Sequence, residues 1–102
     1  MKAEDISKAL LADYLNGAKA LLDEVHREQR AALNDFDCRH YSRLLEISAD
    51  LSRAVEGFEA LGVRCLTPDL FAIEFETARQ RYERGRARLL GMEPHADGIR
   101  FH

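Results

Sequence analysis

The sequence predicts an all-α protein: an elongated antiparallel three-helix bundle with a short irregular C-terminal tail. Three observations predict it. Apolar residues recur at alternating spacings of three and four in three long segments, which returns them to one side of a helix. Only six Gly and two Pro occur, and both Pro sit near expected helix boundaries. Apolar residues make up 46% and charged residues 32%, a balance suited to a patterned helical chain rather than a disordered one. The 102 residues suit one domain, 1–102, with a modest core.

The first helix is expected over 5–33, with Asp5 or Ser7 accepting from the free N–H groups at its start. Its apolar seam runs Leu11, Leu15, Ala18, Leu22, Val25, Gln29, Ala32 and Phe36, flanked by Leu10, Tyr14 and Leu21. That face is wider than a two-stranded coiled coil needs, so it must bury against more than one partner helix. Gln29, the one polar residue on the seam, is read as lying near the bundle end. Gly17 is read as tolerated at a flanking position. Asn34-Asp35-Phe36-Asp37 breaks the first helix and offers caps for the next.

The second helix is expected over 37–61, with the seam Tyr41, Leu44, Ser48, Leu51, Val55 and Phe58, widened by Leu45, Ile47, Ala54 and Leu61. Gly62 stands where a left-handed C-terminal cap belongs. The short break makes the first two helices an antiparallel hairpin. Thr67-Pro68-Asp69 supplies a capping hydroxyl, Pro at the first helical position and an acid in the first turn, so the third helix spans 68–90. Its seam is Phe71, Phe75, Ala78, Tyr82, Gly85 and Leu89, with Gly91 as the stop and 91–102 as the tail. All three faces are wide enough to make homodimerisation an open option.

Little catalytic chemistry is readable. Asp23 with His26 and Asp37 with His40 each place an acid three residues before a histidine, as in di-iron bundles, but the acid is Asp and no bridging Glu is evident. Both pairs are read as solvated helix faces. Cys38 and Cys65 fall at opposite ends of the second helix, about 35–40 Å apart at 1.5 Å per residue, far beyond the roughly 7 Å a disulfide spans. Cys38 is read as a partly buried structural thiol, and His95, Asp97 and His102 as too short a segment to hold a metal. No cofactor, metal or enzymatic activity is expected.

Partner binding is the expected activity. Arg79, Arg81, Arg84, Arg86 and Arg88 crowd the end of the third helix, and Arg81, Arg84 and Arg88 share one face. Basic residues there complement the helix dipole and solubilise the face. If they bind, an acidic protein surface suits them better than nucleic acid, because the net charge is −3. Ile99 and Phe101 either tuck into the bundle end or dock on a partner. The candidate partner-binding residues are therefore Arg81, Arg84, Arg88, Ile99 and Phe101. No apolar run approaches the roughly 20 residues that span a bilayer, and the start shows no signal-peptide core, so a cytoplasmic location without membrane contact is expected.

The run Leu21-Leu22, Glu28, Ala32-Leu33-Asn34-Asp35, Tyr41, Leu44-Leu45-Glu46, Asp50-Leu51 and Leu61 resembles the first helical hairpin of FlgN-type flagellar export chaperones. The tail, with Leu89-Leu90, Pro94 and Asp97-Gly98, is similar to the leucine pair and Asp-x-Gly-like ending of that family. The resemblance implies a cytoplasmic, non-enzymatic chaperone that holds the C-terminal helices of hook-associated substrates for export. The third helix and tail are then expected to form or cover the substrate groove. Two other classes fit a small charged helical chain. One is a phage-type, anti-CRISPR-like inhibitor that blocks a host effector complex by surface binding; the other is a dimeric structural adaptor.

Overall fold

The computed structural model describes residues 8–64 and 66–91, and it is all-α. Three helices follow in order, α1 (Lys8–Asn34), α2 (Cys38–Leu61) and α3 (Pro68–Leu90). The expected start of α1 at Asp5 or Ser7, Cys65 and the tail from Met92 onward lie outside the described residues. The molecule is long and narrow, 47 × 24 × 16 Å, because short connections fold helices of similar length against one another.

Local capping sets most of the helix boundaries. Asp37 caps α2 by accepting from the His40 N–H at 3.1 Å, and Thr67 caps α3 by accepting from the Leu70 N–H at 3.3 Å, with Pro68 at the first position. Gly62 does not adopt the expected left-handed cap. Its φ is −72°, and its N–H turns back to Glu59 O, so the end of α2 tightens by right-handed bonds. The left-handed cap occurs instead after α1, at Phe36, with φ 56°. There Phe36 N–H donates to Leu33 O and Asp37 N–H donates to Ala32 O at 2.8 Å, the paired bonds of a Schellman ending.

α2 is the central helix. It packs along its length against both neighbours, while α1 and α3 approach each other closely at few points. Side-chain size explains the difference. Between α1 and α3 stands Tyr14, its ring 5.5 Å from Phe75, 5.7 Å from Tyr82 and 5.7 Å from Phe58, and these rings hold the two backbones apart. Between α2 and α3, glycines let the backbones close. A Cβ at Gly57 would sit 3.0 Å from Ala78 Cβ, and one at Gly85 would sit 3.0 Å from both Cγ and Cδ2 of Leu51. The core has two clusters along the bundle. One holds Ala18, Ala54, Phe58 and Phe75; the other holds Val25, Ala32, Leu44, Leu51 and Leu89. These are seam residues, and the three-four spacing placed them correctly. Leu45 and Phe36, also assigned to seams, face outward instead.

The glycines give opposed expectations. A methyl at Gly17 meets only the hydroxyl end of Tyr82, 3.0 Å away, whereas at Gly85 it meets the branch of a fully buried leucine. Alanine gains about 1 kcal/mol of helix propensity at either site, and overpacking a filled core costs about 1–3 kcal/mol. Gly17→Ala is therefore expected to stabilise by about 0.5 kcal/mol and Gly85→Ala to destabilise by about 1 kcal/mol. Urea unfolding midpoints that move in the same direction for both would refute the packing argument.

Candidate functional site

Among the described residues, polar contacts join α2 to each of its neighbours, and each involves a side chain read from the sequence as part of a solvated face, His40 in one case and Arg84 and Arg88 in the other. Glu28 on α1 is 3% exposed and lies 2.8 Å from His40 Nε2 on α2. The Asp37–His40 pair is thus not a solvated face: Asp37 turns to the α2 backbone and His40 turns inward to Glu28. A buried carboxylate needs such a partner, since leaving a charged group unpaired away from water is costly. Asp23 and His26 are exposed, as expected. Among the described residues no three of His, Cys, Asp and Glu gather as a metal site would require.

The arginine stripe is engaged within the chain. Asp50 on α2 is 6% exposed and faces α3, where Arg88 Nη1 donates to its Oδ2 at 3.1 Å and Arg84 Nη2 lies 3.4 Å from its Oδ1. Arg88 Nη2 also donates to Glu46 Oε2 at 2.6 Å. Two of the three candidate arginines therefore neutralise an acid sunk into the α2–α3 seam, although both keep exposed side chains. Arg81 is half-buried and has no ion pair among the described residues. The arginine ends of these pairs are exposed, so solvent screening keeps each attraction modest, about 0–1 kcal/mol. Ile99 and Phe101 lie outside the described residues.

Arg79 makes the best-formed pair on α3, donating to both Glu76 oxygens at 2.7 and 2.8 Å. The hydrogen bonds from Arg79 hold the Glu76 carboxyl below the usual carboxylate range. A lowered pKa gives stability that is present at neutral pH and is lost as the pH falls through the lowered value. The difference between the wild type and Glu76→Gln is expected to be no more than about 0.5 kcal/mol at pH 7. It should vanish well below about pH 4; urea midpoints across that range give the comparison. A difference that grew on acidification would contradict the assignment.

Two apolar clefts can be described among the described residues. The larger, about 480 Å³, lies at the far end from the α1–α2 turn, among Leu11, Leu15, Phe58, Leu61 and Phe71, with Lys8 and Glu59 also lining it. The other, about 340 Å³, is built at the turn itself from Leu33 and Phe36 on one side and Cys38, Tyr41 and Leu45 on the other. Here three large apolar side chains stand in solvent: Phe36 is 88% exposed, Leu33 60% and Leu45 46%. Phe36 bears a further cost. Its left-handed backbone is the position where glycine is usual, and a side-chain-bearing residue there costs about 1–2 kcal/mol. A strained residue that also exposes an aromatic ring to water gains nothing for the isolated fold, so this cleft is the stronger site candidate.

Sequence reasoning missed this site. It counted Phe36 as the last core position of α1 and Leu45 as part of the α2 seam, and it expected Cys38 to be partly buried, whereas Cys38 is exposed. The third helix and tail were expected to form or cover a substrate groove, and the tail lies outside the described residues; this cleft is lined by α1, α2 and the turn between them. The Asn34-to-Asp37 break was the available signal: a residue inside a helix stop cannot be assumed to continue the helical period. Comparison with family models, curated proteins and solved structures finds no match for the chain.

Proposed function

We propose that this chain is a non-enzymatic protein-binding helical module that receives an amphipathic helix in the cleft at the α1–α2 turn. The exposed Leu33, Phe36 and Leu45 beside Tyr41 and Cys38 carry the reading. A cleft between two antiparallel helices accepts apolar side chains spaced i, i+3 and i+4 along a partner helix. Together with the hairpin resemblance, this supports a cytoplasmic export chaperone that keeps such helices of secretion substrates from aggregating. No helix among the described residues is long and apolar enough to cross a membrane.

The protein has no Trp, so a peptide can carry the reporter. A synthetic amphipathic helix with leucines at that spacing and one Trp on its apolar side is expected to shift its emission to the blue on binding. Leu45→Glu, which places a charge on the cleft wall, should weaken the binding about tenfold or more. Binding unaffected by Leu45→Glu would reject this cleft as the site. Affinity capture from the native cytoplasm then separates the partner classes: secretion substrates support the chaperone, whereas a defence complex would favour the phage-type inhibitor.

A further inference from the structure

The two apolar clefts open on the same side of the α1–α2 hairpin. Leu15 in the larger cleft and Leu33 in the cleft at the turn are 18 residues apart on α1. Tyr41 at the turn and Glu59 in the larger cleft are likewise 18 residues apart on α2. At 3.6 residues per turn this separation is five whole turns, so each pair returns to one side of its helix. The clefts are thus the two ends of one groove, about 27 Å apart along the hairpin at 1.5 Å per residue. Between them, at the same three-four spacing, α1 carries Lys19, Leu22 and His26, and α2 carries Ser48, Ser52 and Val55. Both serines are small, and the Ser48 hydroxyl donates to Leu45 O at 2.8 Å, so covering it leaves no donor unmet. The two walls differ in charge. Lys8 and Lys19 lie on the α1 stripe and form no ion pair among the described residues, whereas the α2 stripe has one charge, Glu59, at the far end.

We propose that the partner of the turn cleft is a long amphipathic helix that lies along the whole groove as a fourth helix. It places apolar residues in both clefts and acids along the flank beside α1. The inference rests on the turn cleft being the partner site. A helix laid along α1 has the same period, so its own residues five turns apart reach both clefts without bending. Spanning them takes at least about 18–20 residues, and a shorter helix engages one cleft only. Once the first cluster is seated, the second binds as an intramolecular event, so the two contacts reinforce each other. Acids on the α1 flank face Lys8 and Lys19 rather than the uncharged serines, which fixes which way round the helix lies.

Two synthetic helical peptides of equal length, about 26 residues, test this against the full chain by Trp emission. Both carry glutamates on one flank and a Trp-bearing apolar cluster for the turn cleft. One has a second apolar cluster five turns away; in the other, alanine and glutamine replace it. The two-cluster peptide is expected to bind about tenfold or more tightly than the one-cluster peptide. Ala12→Glu puts a charge in the larger cleft at an exposed position. It is expected to remove that advantage and leave the one-cluster peptide unchanged. Should this variant lose helical circular dichroism, Lys19→Glu, also exposed, decides instead. It is expected to weaken the two-cluster peptide about threefold or more, and lysines in place of the peptide's glutamates should restore binding. Equal affinities for the two peptides, an advantage that survives Ala12→Glu, or indifference to Lys19→Glu overturns the proposal and leaves the turn cleft as the partner site. If neither peptide binds, both readings fall. Affinity for the two-cluster peptide that falls as the protein is concentrated also overturns the proposal, and assigns the groove to a second copy.

Discussion

Phe58→Ala is expected to lower the folding free energy by about 3–5 kcal/mol, the largest effect of any single substitution considered for this chain. Phe58 is on the central helix and is fully buried, with its ring 5.7 Å from Tyr14 on α1 and 5.8 Å from Phe75 on α3. One side chain therefore touches both flanking helices at the place where α1 and α3 are held apart by aromatic bulk rather than by direct backbone packing. Truncation removes the transfer energy of the ring and leaves a void that Tyr14 and Phe75 cannot both close, since each is fixed by a different helix. Domains of this size are stable by only about 5–15 kcal/mol. The loss corresponds to a fall in Tm of roughly 12–40 °C. Thermal and urea unfolding followed by helical circular dichroism measures it. A loss under about 1 kcal/mol would mean that the aromatic cluster does not join the three helices.

Phe36→Gly is expected to move stability and binding in opposite directions. Glycine adopts a positive φ freely, so the change relieves about 1 kcal/mol of backbone strain. Little packing is lost, because the ring is almost wholly in solvent. The urea midpoint should rise even though an aromatic residue has been deleted. Over the same change, affinity for the Trp-bearing amphipathic peptide should drop about tenfold or more, the usual consequence of removing an aromatic anchor from a contact surface. Phe36→Gly that stabilises without weakening binding would leave the strained aromatic without a role. A destabilised variant would mean that the ring packs in the fold after all.

Within the described residues, the helices were legible because their causes are local. Three-four spacing marks a buried stripe whatever it packs against, so Val25, Leu44, Leu51, Phe75 and Leu89 were placed correctly before any partner was known. Thr67-Pro68 and Asp37 fix helix starts through bonds that reach only three residues. Helix ends were less legible, and for a physical reason. Glycine permits the left-handed cap but does not require it, so Gly62 kept a right-handed backbone while Phe36 took the left-handed one. The hydrogen bonds of the Schellman ending, closing back to Leu33 and Ala32, fix that conformation whatever side chain occupies it.

By itself the sequence determined an all-α chain, the extent of its helices as far as they are described, and which stripe of each helix is buried. Which polar side chains meet is settled by the packing of the helices. Arg88 and Asp50 are 38 residues apart, and Glu28 and His40 are 12 apart. Their pairing depends on the rotation and offset of whole helices, which the glycines between α2 and α3 and the aromatic rings between α1 and α3 set together. The same tertiary arrangement turned the arginine stripe into a partner for Asp50 and Glu46, and it made an apolar cleft of residues assigned to the core. Periodicity reports which face of a helix is apolar. Whether a neighbour covers the last turn of that face depends on where the neighbour ends, and that is a property of the assembled bundle.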